Sequence, residues 1–364
     1  MIRQSDLNFM LAYSLQGDIT QAMKCMMDIK SELKNDDTLT GEQLATAIEY
    51  ANEQKTISDK KGPKDREING NLLDISHPSD IEEPILHKKV EEKLQDFLEE
   101  RKATLSLLAE GIKPPNSILL YGEPGVGKTY SAKWLACKLN IPLATVNLAT
   151  ITSAYWGETE KNIKKIFDYA NKKDIILFFD EMDSIFANRE RLDGRNNDNY
   201  IRNKVNAILK ELERDSFSYI LIGATNCPEA LDKAVWRRFD RSMEVPKPDN
   251  YQRLALIKRS LGKRYELFDE EFIEVLANLT KKESAAIICK ICDKIKRKHI
   301  IHPELDIKLI AFRALCDQLE FKEDDDKAMI AKSIKKYTED LSENHIADIL
   351  GVEVTDIKKL FSIV

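Results

Sequence analysis

The chain has 364 residues, enough for two or three domains, and its 43% hydrophobic and 32% charged residues allow a core and exclude wholesale disorder. Its 56 basic against 62 acidic residues leave a net charge of −6, which argues against a protein coated in nucleic acid. Apolar runs such as Ile175 to Phe179 are far too short to span a membrane, and the six cysteines are too irregular for a disulfide framework. The opening Met1-Ile2-Arg3-Gln4-Ser5-Asp6 has no export signal, so a cytoplasmic protein is expected. Residues 1–54 read as a helical N-terminal domain, with Ile19, Ala22, Met23, Met26, Ile29 and Leu33 at helical spacing after Asp18. Met10, Met23, Met26 and Met27 serve there either as core filler or as an adaptable docking surface. Residues 55–82, polar and broken at Gly62-Pro63, read as a linker.

From residue 83 helical patterning returns, with apolar positions at Val90, Leu94, Phe97 and Leu98. Short apolar runs then alternate with helical stretches: Ser117 to Tyr121, Leu143 to Asn147, Ile175 to Asp180, Tyr219 to Ala224 and Ser242 to Pro246. That rhythm predicts an α/β fold, a parallel sheet sandwiched by helices, over residues 83–248. Residues 249–320 read as all helix, with Asp249 a good cap and Leu276, Ile287, Ile288, Ile291 and Ile295 on later helices. Residues 321–364 form a further helical region, with the look of a helix-turn-helix from Ser342 onward.

Two motifs carry chemistry. Gly122-Glu123-Pro124-Gly125-Val126-Gly127-Lys128-Thr129 fits the phosphate-loop pattern in full, after an expected strand and before an expected helix. Glycines let backbone N–H groups converge on phosphate oxygens beside a helix N-terminus. Lys128 adds a positive charge for the β- and γ-phosphates, and Thr129 a hydroxyl for magnesium. The nucleotide-binding set also takes in Tyr130, next in the chain, and Asp180. Glu123, in a variable position of the loop, puts a negative charge near the phosphates. The second motif is the apolar run Ile175 to Phe179 ending in Asp180-Glu181, where open α/β sheets bind ligands. Asp180 suits Mg2+, and Glu181 is placed to orient and deprotonate an attacking water.

Together these residues resemble the AAA family of ATPases, of the AAA+ class, over roughly residues 83–318. Asp180-Glu181-Met182-Asp183 matches the family's extended acidic motif, and Asn226, ending Ala224-Thr225-Asn226, matches its sensor 1. Leu231 to Arg241 resembles the second region of homology, with Arg237 and Arg238 at arginine-finger positions, as in the katanin and spastin branch. The resemblance implies an AAA+ P-loop sheet with a helical lid, ATP and Mg2+ as cofactors, and a homo-oligomeric ring, a hexamer, in which these arginines serve the neighbouring site. Glu283-Ser284-Ala285-Ala286-Ile287 matches the family's lid segment only loosely, without a sensor 2 arginine.

Tyr155, Trp156 and Gly157 resemble the aromatic pore loop of AAA unfoldases, which implies a protein substrate; packing in the subunit core and stacking on single-stranded nucleic acid are the alternatives. Residues 196–202, with Arg202, resemble the second pore loop. The C-terminal region carries more acidic than basic residues, which favours a packing or partner-docking module over a DNA reader; a DNA-associated ATP switch remains the competing class. Cys289 and Cys292, with His299 and His302, have zinc-ligand character but lie in one apolar-periodic stretch that reads as lid core. The layout looks most like bacterial stand-alone AAA ATPases encoded beside a subtilisin-like serine protease, which implies a separately encoded protease partner.

Overall fold

The computed structural model describes residues 72–77, 81–153, 158–183, 208, 210–211, 219–319, 324–338 and 341–362. The expected N-terminal helices and most of the expected linker lie outside them. The described residues fall into two compact units, and each stands on its own core.

The first unit holds Lys88–Gly122 and Lys128–Glu244 with the preceding strand. Its elements are β1 (Leu73–Ser76), α1 (Lys88–Lys102), α2 (Thr104–Ala109), β2 (Ser117–Tyr121), α3 (Lys128–Leu139), β3 (Leu143–Val146), α4 (Leu148–Ser153), α5 (Glu158–Ala170), β4 (Ile175–Phe179), β5 (Tyr219–Thr225), α6 (Lys233–Trp236) and β6 (Arg241–Glu244). Among the described residues the six strands order as β1-β3-β4-β5-β2-β6. Pairing is parallel except between β1 and β3. β1 falls within the stretch expected to be a linker: Leu73 is buried and the strand closes the sheet edge against β3. One such strand, between polar stretches, is too short to show a period in the sequence.

The interior strands explain their composition. Every residue of β4 and β5 is buried, because a parallel strand covered on both faces needs apolar side chains in both directions. Leu119, Leu177, Phe179 and Leu221 join Ile163, Ile166 and Phe167 of α5 in one core, with Phe167 stacked on Phe179 at 6.1 Å between centroids. Val90, Leu94, Phe97 and Leu98, the apolar stripe of α1, are all buried as their spacing predicts.

The second unit holds Ile85–His87, Glu123–Gly127 and Val245–Val364, so its boundary falls just before the expected break at Pro248. Its helices are α7 (Asn250–Leu261), α8 (Glu270–Leu279), α9 (Ala285–Ile301), α10 (Ile307–Cys316), α11 (Asp324–Tyr337), α12 (Glu343–Leu350) and α13 (Val354–Ser362). A capping box starts α7: Asp249 accepts from the Gln252 amide at 2.9 Å, while Gln252 Oε1 accepts from the Asp249 amide at 3.0 Å. Phe272 of α8 lies at the centre, with Phe268, Phe312 and Tyr337 all 5.2–5.3 Å away between centroids. The C-terminal region, read from sequence as separate, shares this core: Ile346, Ala347, Ile357 and Leu360 are buried with Ile291, Ile295 and Phe312. The amphipathic stripes of α12 and α13 are too short to form a core of their own, so they finish that of the lid. Among the described residues, no helix is long and apolar enough to cross a membrane.

Candidate nucleotide site

β2 ends at Tyr121, and the loop that follows turns through three glycines in the left-handed half of backbone space: Gly122 at φ 145°, Gly125 at 78° and Gly127 at 113°. A side chain at any of the three is strained, and at Gly125 it also has no room. A Cβ there would stand 2.7 Å from Ser284 Oγ and 2.9 Å from Ala286 Cβ, and the Gly125 carbonyl accepts from the Ala286 amide at 2.9 Å. These contacts, all within the second unit, give the loosely matching lid segment a structural role. Glu123 and Pro124 are exposed and Val126 is buried. The charge expected at Glu123 is offset: its carboxylate pairs with Lys247 Nζ at 2.7 Å.

In the first unit, α3 begins with Lys128. Its ammonium donates to the Gly122 carbonyl and to Asn226 Oδ1, both at 2.7 Å, and only 6% of the residue is exposed. Burial pushes its pKa down, while the carboxylates of Asp180 and Asp183 pull it back up. Thr129 Oγ1 donates to Asp180 Oδ2 at 2.8 Å, so the hydroxyl and carboxylate expected to share a magnesium ion already stand together. Two hard oxygen donors at the mouth of a glycine loop suit Mg2+. Tyr130 turns outward, 38% exposed, with its hydroxyl donating to the Glu82 carbonyl at 2.9 Å.

Sheet order explains how these groups meet. β5 lies between β2 and β4, with Tyr121 level with Thr225 and Phe179 level with Gly223. The carboxyl ends of the three strands therefore deliver the phosphate loop, Asn226, and Asp180-Glu181 to one edge of the sheet. Glu181 is exposed and sits at φ 52°, a left-handed conformation that a glutamate rarely adopts. It is held there by its own amide, which donates to Asp180 Oδ1 at 3.0 Å, and by the Met182 amide, which donates to the Ala224 carbonyl at 2.8 Å.

Two contributors had no role in the sequence reading. Asp183 Oδ1 accepts from Thr225 Oγ1 at 2.7 Å and from the Asn226 amide at 3.1 Å, so it fixes the turn that presents Asn226. Gly223 leaves space on β5 for Met182 and Phe239. Asp183 was visible as the last residue of the acidic motif; Gly223 gave no signal.

Arg237 and Arg238 are not at this edge. β6 runs parallel to β2 with Arg241 level with Ile118, so the residues before β6 lie at the amino edge of the sheet. The Arg238 carbonyl lies 3.5 Å from Ser117 Oγ, at the start of β2. Tyr155, Trp156, Gly157 and Arg202 lie outside the described residues. Cys289 and Cys292 are on one helix, α9. Cys292 is buried and its thiol is pushed up to about 12, the opposite of what a zinc thiolate needs.

Residues 118–247 match the family described as ATPase family associated with various cellular activities (AAA). Over that stretch the chain is similar to an AAA ATPase domain. Over 156 residues, 43% of this chain, the sequence is 37% identical to an uncharacterized AAA family ATPase, y4kL, of Sinorhizobium fredii, and the match covers 45% of that protein. It is 34% identical over 203 residues, 54% of this chain, to the cell division cycle protein 48 homolog of Archaeoglobus fulgidus, covering 27% of it. The matched stretch thus spans less than half the length of either curated relative. Among solved structures, the FIGL-1 AAA domain aligns with a TM-score of 0.56 at 20% identity, over 78% of this chain and 97% of that one. The same domain in complex with ADP gives 0.55 at 19% identity, over 77% and 99%. At such identity the likeness carries the fold, and it is the AAA fold.

Proposed function

We propose that the whole protein is a cytoplasmic ATP-hydrolysing AAA motor that works as a homo-oligomeric ring, with each triphosphate enclosed by two protomers. The observation that carries this reading is the placement of cations on the two edges of one sheet. Lys128 serves the carboxyl edge, within its own loop. Arg237 and Arg238 stand at the amino edge, separated from that loop by the length of β2, about 16 Å at roughly 3.3 Å per residue. An arginine side chain does not bridge that distance, so the pair is useful to phosphate chemistry only in a neighbour.

Within one protomer, Lys128 holds the triphosphate through its ammonium, and Asn226, released from Lys128, orients the attacking water. Glu181 takes that water's proton on its carboxylate. Thr129 and Asp180 would hold Mg2+, which supplies positive charge to the phosphate oxygens. The neighbour's Arg237 and Arg238 stabilise charge that develops on the transferred group. Tyr155 and Trp156, on sequence grounds, grip an extended polypeptide along the ring axis. Supply of that polypeptide to a separately encoded serine protease is supported by the resemblance in layout.

A complementation experiment tests the shared site. An Arg237→Ala/Arg238→Ala protein keeps its own loop but lends no arginine; a Glu181→Gln protein lends arginines but lacks the base. Each alone is expected to be nearly inactive, and a mixture to regain ATPase activity at mixed interfaces. Full activity of the double arginine variant by itself refutes the shared site.

A further inference from the structure

We propose that Asp240 is a positioning residue for the arginines that the protein lends to its neighbour, its carboxylate clamping their segment onto the start of β2. This rests on the shared-site reading above. Asp240 Oδ2 accepts from the Asn116 amide at 2.8 Å, the Ser117 amide at 3.1 Å and Ser117 Oγ at 2.9 Å, and the Asp240 amide donates back to Ser117 Oγ at 2.9 Å. Ser117 is 3% exposed, so its hydroxyl is a buried anchor. The next residue extends the clamp: Arg241 donates through Nη2 to Glu100 Oε2 at 2.6 Å and through Nη1 to the Lys93 carbonyl at 3.3 Å. On the other side Phe239 is buried. The backbone just after Arg237 and Arg238 is thereby fixed by a carboxylate that receives backbone N–H groups, a charge-assisted arrangement stronger than neutral bonds.

The geometry has a consequence for the reaction. β2 carries the protein's own phosphate loop at one end and the anchor of its lent arginines at the other. An arginine finger contributes about 10³–10⁵ in rate, and a misplacement of about 1 Å costs about 10²-fold. Loss of the clamp therefore weakens hydrolysis in the neighbouring protomer while leaving the protomer's own loop intact.

The test places Asp240→Ala in either arm of the complementation pair. In the arginine donor, as Glu181→Gln/Asp240→Ala, it is expected to reduce the rescued kcat by about 10²-fold with KM for ATP unchanged. In the recipient, as Arg237→Ala/Arg238→Ala/Asp240→Ala, rescue by Glu181→Gln is expected to stay within about twofold of the parent pair, since that site takes its arginines from elsewhere. Asp240→Asn in the donor, which keeps a carbonyl acceptor, should recover most of the loss. Equal losses in both arms would show a general structural role, and no loss in either would show none; each outcome overturns the proposal. If the parent pair shows no rescue at all, the shared-site reading fails first and this proposal with it.

Discussion

Glu181 holds its carboxylate at the end of β4 from a left-handed backbone, at φ 52°, a conformation that costs roughly 1–3 kcal/mol and persists only where surrounding bonds impose it. Those bonds come from Asp180 and Ala224. The chemistry proposed for Glu181 is proton acceptance, whereas Lys128 holds Asn226 and Thr129 holds Asp180. Glu181→Gln is therefore expected to leave ATP affinity within a few-fold of the parent, measured by equilibrium binding. Steady-state hydrolysis should fall by about 10²–10⁴-fold. The residue types at this edge were legible in sequence, because a phosphate loop and an acidic strand end are each contiguous. The role of Asp183 was not, since it depends on bonds to Thr225 and Asn226 of a different strand. Likewise the negative charge at Glu123 looked unfavourable until Lys247, far along the chain, was found beside it.

At the level of elements, β5 decides whether the site exists, because its position between β2 and β4 sets Asn226 between the phosphate loop and Asp180. Its fit depends on Gly223. A Cβ there would come 2.9 Å from Phe239 Cζ and 3.2 Å from Leu119 Cδ1, and closer still to Met182 Sδ. Gly223→Ala is expected to destabilise the protein by about 1–3 kcal/mol through overpacking, read as a lower midpoint in urea, and to lower ATPase activity by displacing Met182 beside Glu181. In the helical unit, burial pushes the Cys292 and Cys316 thiols from an ordinary 9.0 up to about 12. The folded state holds these protons more tightly than the unfolded state. Their contribution is complete below the unfolded thiol pKa and is lost as pH rises from about 9 toward 12, at up to about 1.4 kcal/mol per pH unit for each thiol. Urea melts below and within that window should show the loss, and Cys292→Ala should flatten it. The strand candidates were read within a residue or two, most plainly β4 and β5, whose full burial makes them apolar runs. β1 and the merging of α12 and α13 into the lid core were missed, since neither edge pairing nor docking leaves a local period.

For the whole molecule, hydrolysis under the shared-site proposal is a property of an assembly, because Arg237 and Arg238 stand at the edge opposite the protein's own loop. Specific ATPase activity is expected to fall on dilution below the association midpoint, and to rise again when inactive Glu181→Gln protomers are added to dilute wild type. A specific activity independent of concentration down to demonstrated monomers is the contrary result. By itself the amino-acid sequence determined the pieces of chemistry that lie along a few consecutive residues: the glycine loop with Lys128 and Thr129, the apolar strand ending in Asp180-Glu181, and the arginine pair before Phe239. Local backbone demands and strand burial restrict which residues such segments accept, so their patterns survive in one dimension. Only the tertiary structure decided that β5 enters between β2 and β4, that Asp183 holds Asn226, and that Asp240 reaches back to Ser117. Those pairings join residues tens to more than a hundred positions apart, where hydrogen bonding follows strand order and no periodicity in the chain records it.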